Sequence, residues 1–118
     1  MSKRDPALYA EDMLVACNRV QEYTRGFSRE RFLSDTLVSD AVVRNLEVIG
    51  EAARHVPDEL RARFADIPWR SIVAFRNIAI HAYGSVSLER VWAIVTEDIP
   101  ALAPRLRQML ETLDRESA

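Results

Sequence analysis

Apolar residues recur at three- and four-residue spacing along most of the chain, and the runs break at Gly and Pro. Met13, Cys17 and Val20, with Leu14 beside them, predict an amphipathic helix over residues 6 to 23, with Asp5 as cap, Pro6 at the first helical position and Gly26 as terminator. Residues 27 to 33 hold one helical turn at most, because Ser28 is followed by Arg31 where a full capping box needs Glu or Gln. The clearest pattern runs from Asp35 to Val56. Val38, Val42, Ile49, Ala52 and Val56 form one stripe, flanked by Ala41, Leu46 and Ala53, with Asp40, Arg44, Glu47, Glu51 and Arg54 opposite. Asn45 breaks the rule by falling in the centre of the apolar stripe.

Pro57 ends that helix, and Asp58 to Phe64 predict a short one before Ile67-Pro68. Pro68-Trp69 opens a further helix for which Gly84 is the expected stop. Ser87 then reads as the N-cap of a last helical region, where Leu88, Val91, Val95, Ile99, Leu102, Leu106, Met109 and Leu113 keep helical spacing. Pro100 and Pro104 interrupt its hydrogen bonding, which predicts a kink or split near Ile99-Pro100. Nothing repeats internally. The sum is an all-α bundle of about four main helices with one or two short ones.

Composition narrows the class. A chain of 118 residues fits one domain with a single core, and 3 Gly and 5 Pro leave little room for strands and turns. A net charge of -2 and a pI near 5.7 exclude coating of nucleic acid by bulk charge, while leaving room for a local basic cleft. The single cysteine, Cys17, permits no internal disulfide and reads as a small core residue. No Cys/His cluster has metal-ligand spacing, so neither a metal nor another cofactor is expected. Without a signal-peptide pattern or a long uncharged apolar run, the chain is expected to be cytoplasmic and to have no membrane contact.

Within the fifth segment, RNIAIHAYG sets Arg76, Asn77, His81 and Tyr83 into an apolar helical run, where burial of such groups is costly unless something uses them. On a wheel, Arg76 pairs with Tyr83 and Asn77 with His81, in two narrow stripes on a helix that is otherwise apolar on nearly every side. Arg76 and His81 stand about 140° apart and do not simply stack on one face, so either Arg76 reaches across or another chain supplies the mate. A two-fold dimer that buries this helix would supply each group twice at a shared cleft. Arginine can hold a phosphate and histidine can move a proton near neutral pH. That pairing suits attack of an RNA 2′-hydroxyl on its neighbouring phosphate.

The string Arg76-Asn77-Ile78-Ala79-Ile80-His81-Ala82-Tyr83 resembles the R-x4-H-x-Y motif of the HepT-like branch of the HEPN superfamily, helical toxin ribonucleases paired with MNT-type nucleotidyltransferase antitoxins. Val43 to Arg54, Ile67 to Arg70, Val91-Trp92 and Thr96 to Pro100 look like the same branch. Ile80 and Ala82 depart from its commonest form, which has alanine and glycine there. The resemblance implies that Arg76 and His81 are the ribonuclease pair, with Asn77 the polar residue that follows the arginine. It also implies that Tyr83 receives AMP from the antitoxin in a type VII toxin-antitoxin system, and that the toxin is a homodimer with facing motifs acting on RNA.

Other residues have plainer expectations. Asn45 fits a buried hydrogen-bonding residue at a core or dimer seam, and Glu47 and Glu51 fit a solvated face or charge partners for Arg76. The competing reading of the whole chain is a non-catalytic helical module that dimerises and docks the nucleotidyltransferase.

Overall fold

Helix α1 spans Pro6–Tyr23, and the Asp5 carboxylate accepts from the Ala7 amide at its start. The chain leaves it through Gly26, whose φ of 76° a side chain would disfavour. Helix α2 (Arg29–Ser34) is capped by Ser28, which accepts from the Arg31 amide at 3.1 Å, so the half capping box suffices for about two turns. Helix α3 (Thr36–Arg54) begins at Asp35, which accepts from Val38, and α4 (Asp58–Arg63) follows Pro57. Helix α5 covers Trp69–Ile80, α6 covers Gly84–Ala93 and α7 covers Ile99–Ser117. This computed structural model describes residues 4–82 and 84–117, with the side chains of 84–86 outside the description.

The bundle is all-α. Helix α3 is its centre, packed against α5 on one side and α1 on the other, and α1 in turn packs against α7. Val42, Leu46, Ile49 and Ala53 of α3 meet Met13, Cys17 and Val20 of α1 and Ile72 and Phe75 of α5 in one buried core. Trp69 is buried, with its indole donating to the Phe64 carbonyl, and Trp92 packs on Phe32 with ring centroids 5.1 Å apart. Both tryptophans therefore serve the interior, as their polar handles allow.

Besides α2, which exceeds the single turn expected of that segment, three local expectations change. Gly84 does not stop α5; the helix ends at Ile80, where the His81 and Ala82 amides donate to the carbonyls of Asn77 and Ala79 and close the last turn. Gly84 is instead the first residue of α6, so Ser87 lies inside that helix and does not cap it. The third change lies at the prolines. The helix rewinds into a five-residue π segment over Ile94–Asp98, and the Ile99 amide donates to Ile94. Proline clashes with the carbonyl four residues before it, and the wider π register just ahead of Pro100 relieves that contact with no break between α6 and α7.

Candidate active site

Gly50 fixes the position of Arg76. A Cβ built on Gly50 would lie 2.6 Å from the Arg76 amide nitrogen and 3.2 Å from its Cα, so α3 and α5 approach backbone to backbone at this point. Glycine in mid-helix costs about 1 kcal/mol relative to alanine, and close approach is what offsets it. The same α3 turn carries Glu51, whose carboxylate lies 3.5 Å from Arg76 Nε.

Helix α5 is less enclosed than its composition suggests. Trp69, Ile72, Phe75 and Ala79 are buried, Val73, Ile78 and Ile80 are half-buried, and Arg76, Asn77 and His81 are exposed. Arg76, Asn77 and His81 are thus set at the surface and not buried in the core. Their cost is small in the single chain, and they are free to meet a ligand or another surface.

The structure separates the motif into two grooves. Arg76 lines one of about 510 Å³ with Glu47, Glu51, Arg44, Tyr9 and His55. Asn77 and His81 line another of about 210 Å³ with Ala74, Ile78, Ser87 and Arg90. His81 itself lies just past the helix, at φ -103° and ψ 18°, so the chain turn and not the helix axis aims its ring. Among the described residues, Arg76 and His81 line different grooves. Tyr83 lies outside the described residues.

The Arg76 groove is lined by charges of both signs, Arg4, Arg44 and Arg76 with His55 against Asp12, Glu47 and Glu51. Glu51 accepts from Arg54 at 2.8 Å and lies 3.1 Å from His55 Nε2, and the Arg54 bond first, with His55 assisting, holds its carboxyl down at about 2 against the cost of burial. Glu47 pairs with Arg44 at 3.3 Å. Of the two glutamates, Glu51 is the partner of the motif arginine. Asn45 is buried and donates to the Ala41 carbonyl one turn earlier at 2.8 Å, which satisfies it inside α3 and leaves it structural in the single chain.

Some contributors carried no readable sequence signal. Arg61 donates to the carbonyls of Ala53, Arg54 and Val56, closing the C-terminus of the helix that carries Gly50 and Glu51. His55 stacks on Tyr9 with centroids 5.2 Å apart, tying the floor of the Arg76 groove to α1. Gly50 did carry a signal, a glycine in the strongest amphipathic helix.

The family model described as ribonuclease HepT-like matches residues 13–109, which span α1 to α7 and every motif position. The chain belongs to the HepT-like ribonuclease family. A candidate RNase of Methanocaldococcus jannaschii is 38% identical over 102 residues, covering 86% of this chain and 94% of that protein. A probable ribonuclease HepT of Thermococcus cleftensis is 37% identical over 107 residues, covering 91% and 97%. A candidate RNase of Caldanaerobacter subterraneus subsp. tengcongensis is 33% identical over 108 residues, covering 92% and 96%. No solved structure matches the chain.

For a HepT-like ribonuclease the arrangement offers distinct chemistry on two sides of α5. One groove presents a guanidinium that a phosphate can claim, since an exposed Arg–Glu pair contributes only about 0–1 kcal/mol. The other presents an imidazole and an amide open to solvent. Among the described residues no group of three His, Cys, Asp or Glu side chains converges as a ligand set, and no helix is long and apolar enough to cross a membrane.

Proposed function

We propose that this chain is the toxin of a HEPN/MNT toxin-antitoxin pair, a metal-independent endoribonuclease. The observation that carries the reading is the exposure of Arg76, Asn77 and His81 in two grooves lined by the C-terminal half of α5 and the residue that follows it. In this mechanism His81 takes the proton of a ribose 2′-hydroxyl as that oxygen attacks the adjacent phosphorus. Arg76 leaves Glu51 for the non-bridging oxygens and offsets the charge building on them, and Asn77 orients the phosphate. The 5′-oxygen departs with a proton from solvent water, leaving a 2′,3′-cyclic phosphate and a 5′-hydroxyl. The lining of different grooves by Arg76 and His81 among the described residues supports a composite working site: arginine from one protomer and histidine from its partner, in an isologous dimer.

The antitoxin, a nucleotidyltransferase, controls this site at Tyr83. The tyrosyl oxygen attacks the α-phosphorus of ATP, pyrophosphate leaves, and the AMP-tyrosine so formed places a bulky anion beside the cleft that RNA must enter.

The test is cleavage of single-stranded RNA by purified protein. His81→Ala should lower the rate by roughly 10²-fold or more, as loss of a general acid or base does, with circular dichroism unchanged. A wild-type protein of intact fold that cuts no RNA would overturn the enzyme reading in favour of a docking module. Mass spectrometry after incubation with the partner and ATP tests Tyr83, and an unmodified tyrosine under conditions where the partner is active removes that step.

A further inference from the structure

We infer that Arg90 is a substrate-binding residue that grips an RNA phosphate next to His81; the inference rests on the ribonuclease reading above. Arg90 lines the same groove as Asn77 and His81, nine residues on and across the turn between α5 and α6, and its side chain is exposed. Among the described residues the groove wall contains no carboxylate. Among the described residues Arg90 takes part in no ion pair, whereas its neighbour Glu89 is engaged by Arg29 of α2. The contrast with Arg76 is chemical: Arg76 starts from a carboxylate partner, whereas Arg90 lines the His81 groove with no ion-pair partner among the described residues.

An acid-free groove holding one arginine, one histidine, an asparagine amide and a serine hydroxyl fits a phosphodiester. The donors match its oxygens, and nothing on the wall repels it. The groove is small, about 210 Å³, and takes a phosphate with part of its sugar and not a folded RNA element. Arg90 therefore fixes the strand's register on the His81 side, so that the 2′-hydroxyl arrives within reach of the imidazole. Contacts of this kind set binding and register without reading base sequence.

The experiment uses the full chain and two labelled single-stranded oligoribonucleotides, one cleavable and one 2′-O-methylated, which lacks the attacking hydroxyl. Arg90→Gln should weaken binding of the methylated strand about tenfold, as loss of a charge-assisted contact does. It should also flatten the dependence of log K on log salt by about 0.7, the share of one phosphate on a single strand. Arg90→Lys should recover most of the affinity, and on the cleavable strand KM should change more than kcat. Arg19→Gln, an exposed arginine on α1, is the control for general charge. Equal losses from Arg19→Gln and Arg90→Gln, or an Arg90→Gln protein that binds and cuts like wild type, overturn the role of Arg90 alone. A wild-type protein that neither binds the methylated strand nor cuts the other overturns the ribonuclease reading and this inference together.

Discussion

Gly50 and Arg76 touch through their backbones: a methyl group on Gly50 would stand 2.6 Å from the Arg76 nitrogen and 3.0 Å from its Cβ. Neither atom is the free end of a side chain, so α3 and α5 would have to separate. Gly50→Ala gains about 1 kcal/mol of helix propensity and incurs overpacking of about 1–3 kcal/mol. The net expectation is destabilisation in urea unfolding. RNA cleavage should fall further than stability, since a displacement of about 1 Å at a phosphate-binding arginine can cost roughly 10²-fold. A Gly50→Ala protein as stable and as active as wild type would show that the helices can part at no cost.

Glu51 should stay ionised far into acid. Its hydrogen bond from Arg54, aided by His55, depresses the carboxyl to about 2, below an ordinary glutamate value of 4.5. For a carboxylate lowered on folding, the stabilising contribution is complete above the ordinary value and is lost as pH falls from there toward 2. Side-chain carbonyl NMR should place the Glu51 midpoint near 2 and return it toward 4.5 in Arg54→Gln. A midpoint of 4 or above in the wild type would mean that the Arg54–Glu51–His55 cluster does not form in solution. The energy involved is small because Glu51 is 42% exposed, so the titration and not thermal stability is the informative measurement.

Cys17 should be inert until the protein unfolds. It is 0% exposed between α1 and its neighbours, and burial pushes the thiol up to about 12 against a small opposing pull from Arg107. At pH 8 the thiolate population is then about a thousandfold or more below that of a free cysteine. Alkylation by iodoacetamide should be negligible in buffer and rapid in denaturant. Fast labelling of folded protein would contradict a sealed α1–α3–α7 core.

The helices were legible because their signals are local. Asp5-Pro6, Asp35 and Pro57 act at the residues where they stand, and the Val42-to-Ala53 stripe of α3 has one face to bury whatever else the chain does. The end of α5 was not legible, because Gly84 serves a helix start as readily as a stop and only the packing of α6 decides between them. The π segment at Ile94–Asp98 was visible as a disturbance near Pro100, but its form depends on which register keeps Val95 and Ile99 in the core. Of the candidate site, helix geometry gave an angle between Arg76 and His81 on a continuous helix, whereas α5 ends at Ile80 and the turn after it sets His81. Burial of the motif was misread, because apolar neighbours at Val73, Ile78 and Ile80 suggested an enclosure that the single chain does not supply. Arg90 has no sequence signal for this place, because no periodicity spans the turn between α5 and α6 that brings it to the His81 groove.

The separation of Arg76 and His81 into different grooves makes the composite site testable by mixing. Arg76→Ala and His81→Ala are each expected to be inactive alone. After denaturation and joint refolding, half of the dimers carry one chain of each kind. If a site takes its arginine from one protomer and its histidine from the other, one site in each mixed dimer receives both wild-type residues and its twin receives neither. Activity should therefore return to about a quarter of wild type in an equal mixture. If both residues act from the same chain, every site carries a lesion, and the mixture should stay as inactive as its parents. The double variant Arg76→Ala/His81→Ala, refolded with wild type, separates the cases in the opposite sense. Its mixed dimers have no intact composite site but keep one intact same-chain site. A silent single-variant mixture together with half-maximal activity in the double-variant mixture would defeat the composite arrangement, whereas about a quarter in both would support it, because in the second mixture only the wild-type homodimers remain competent.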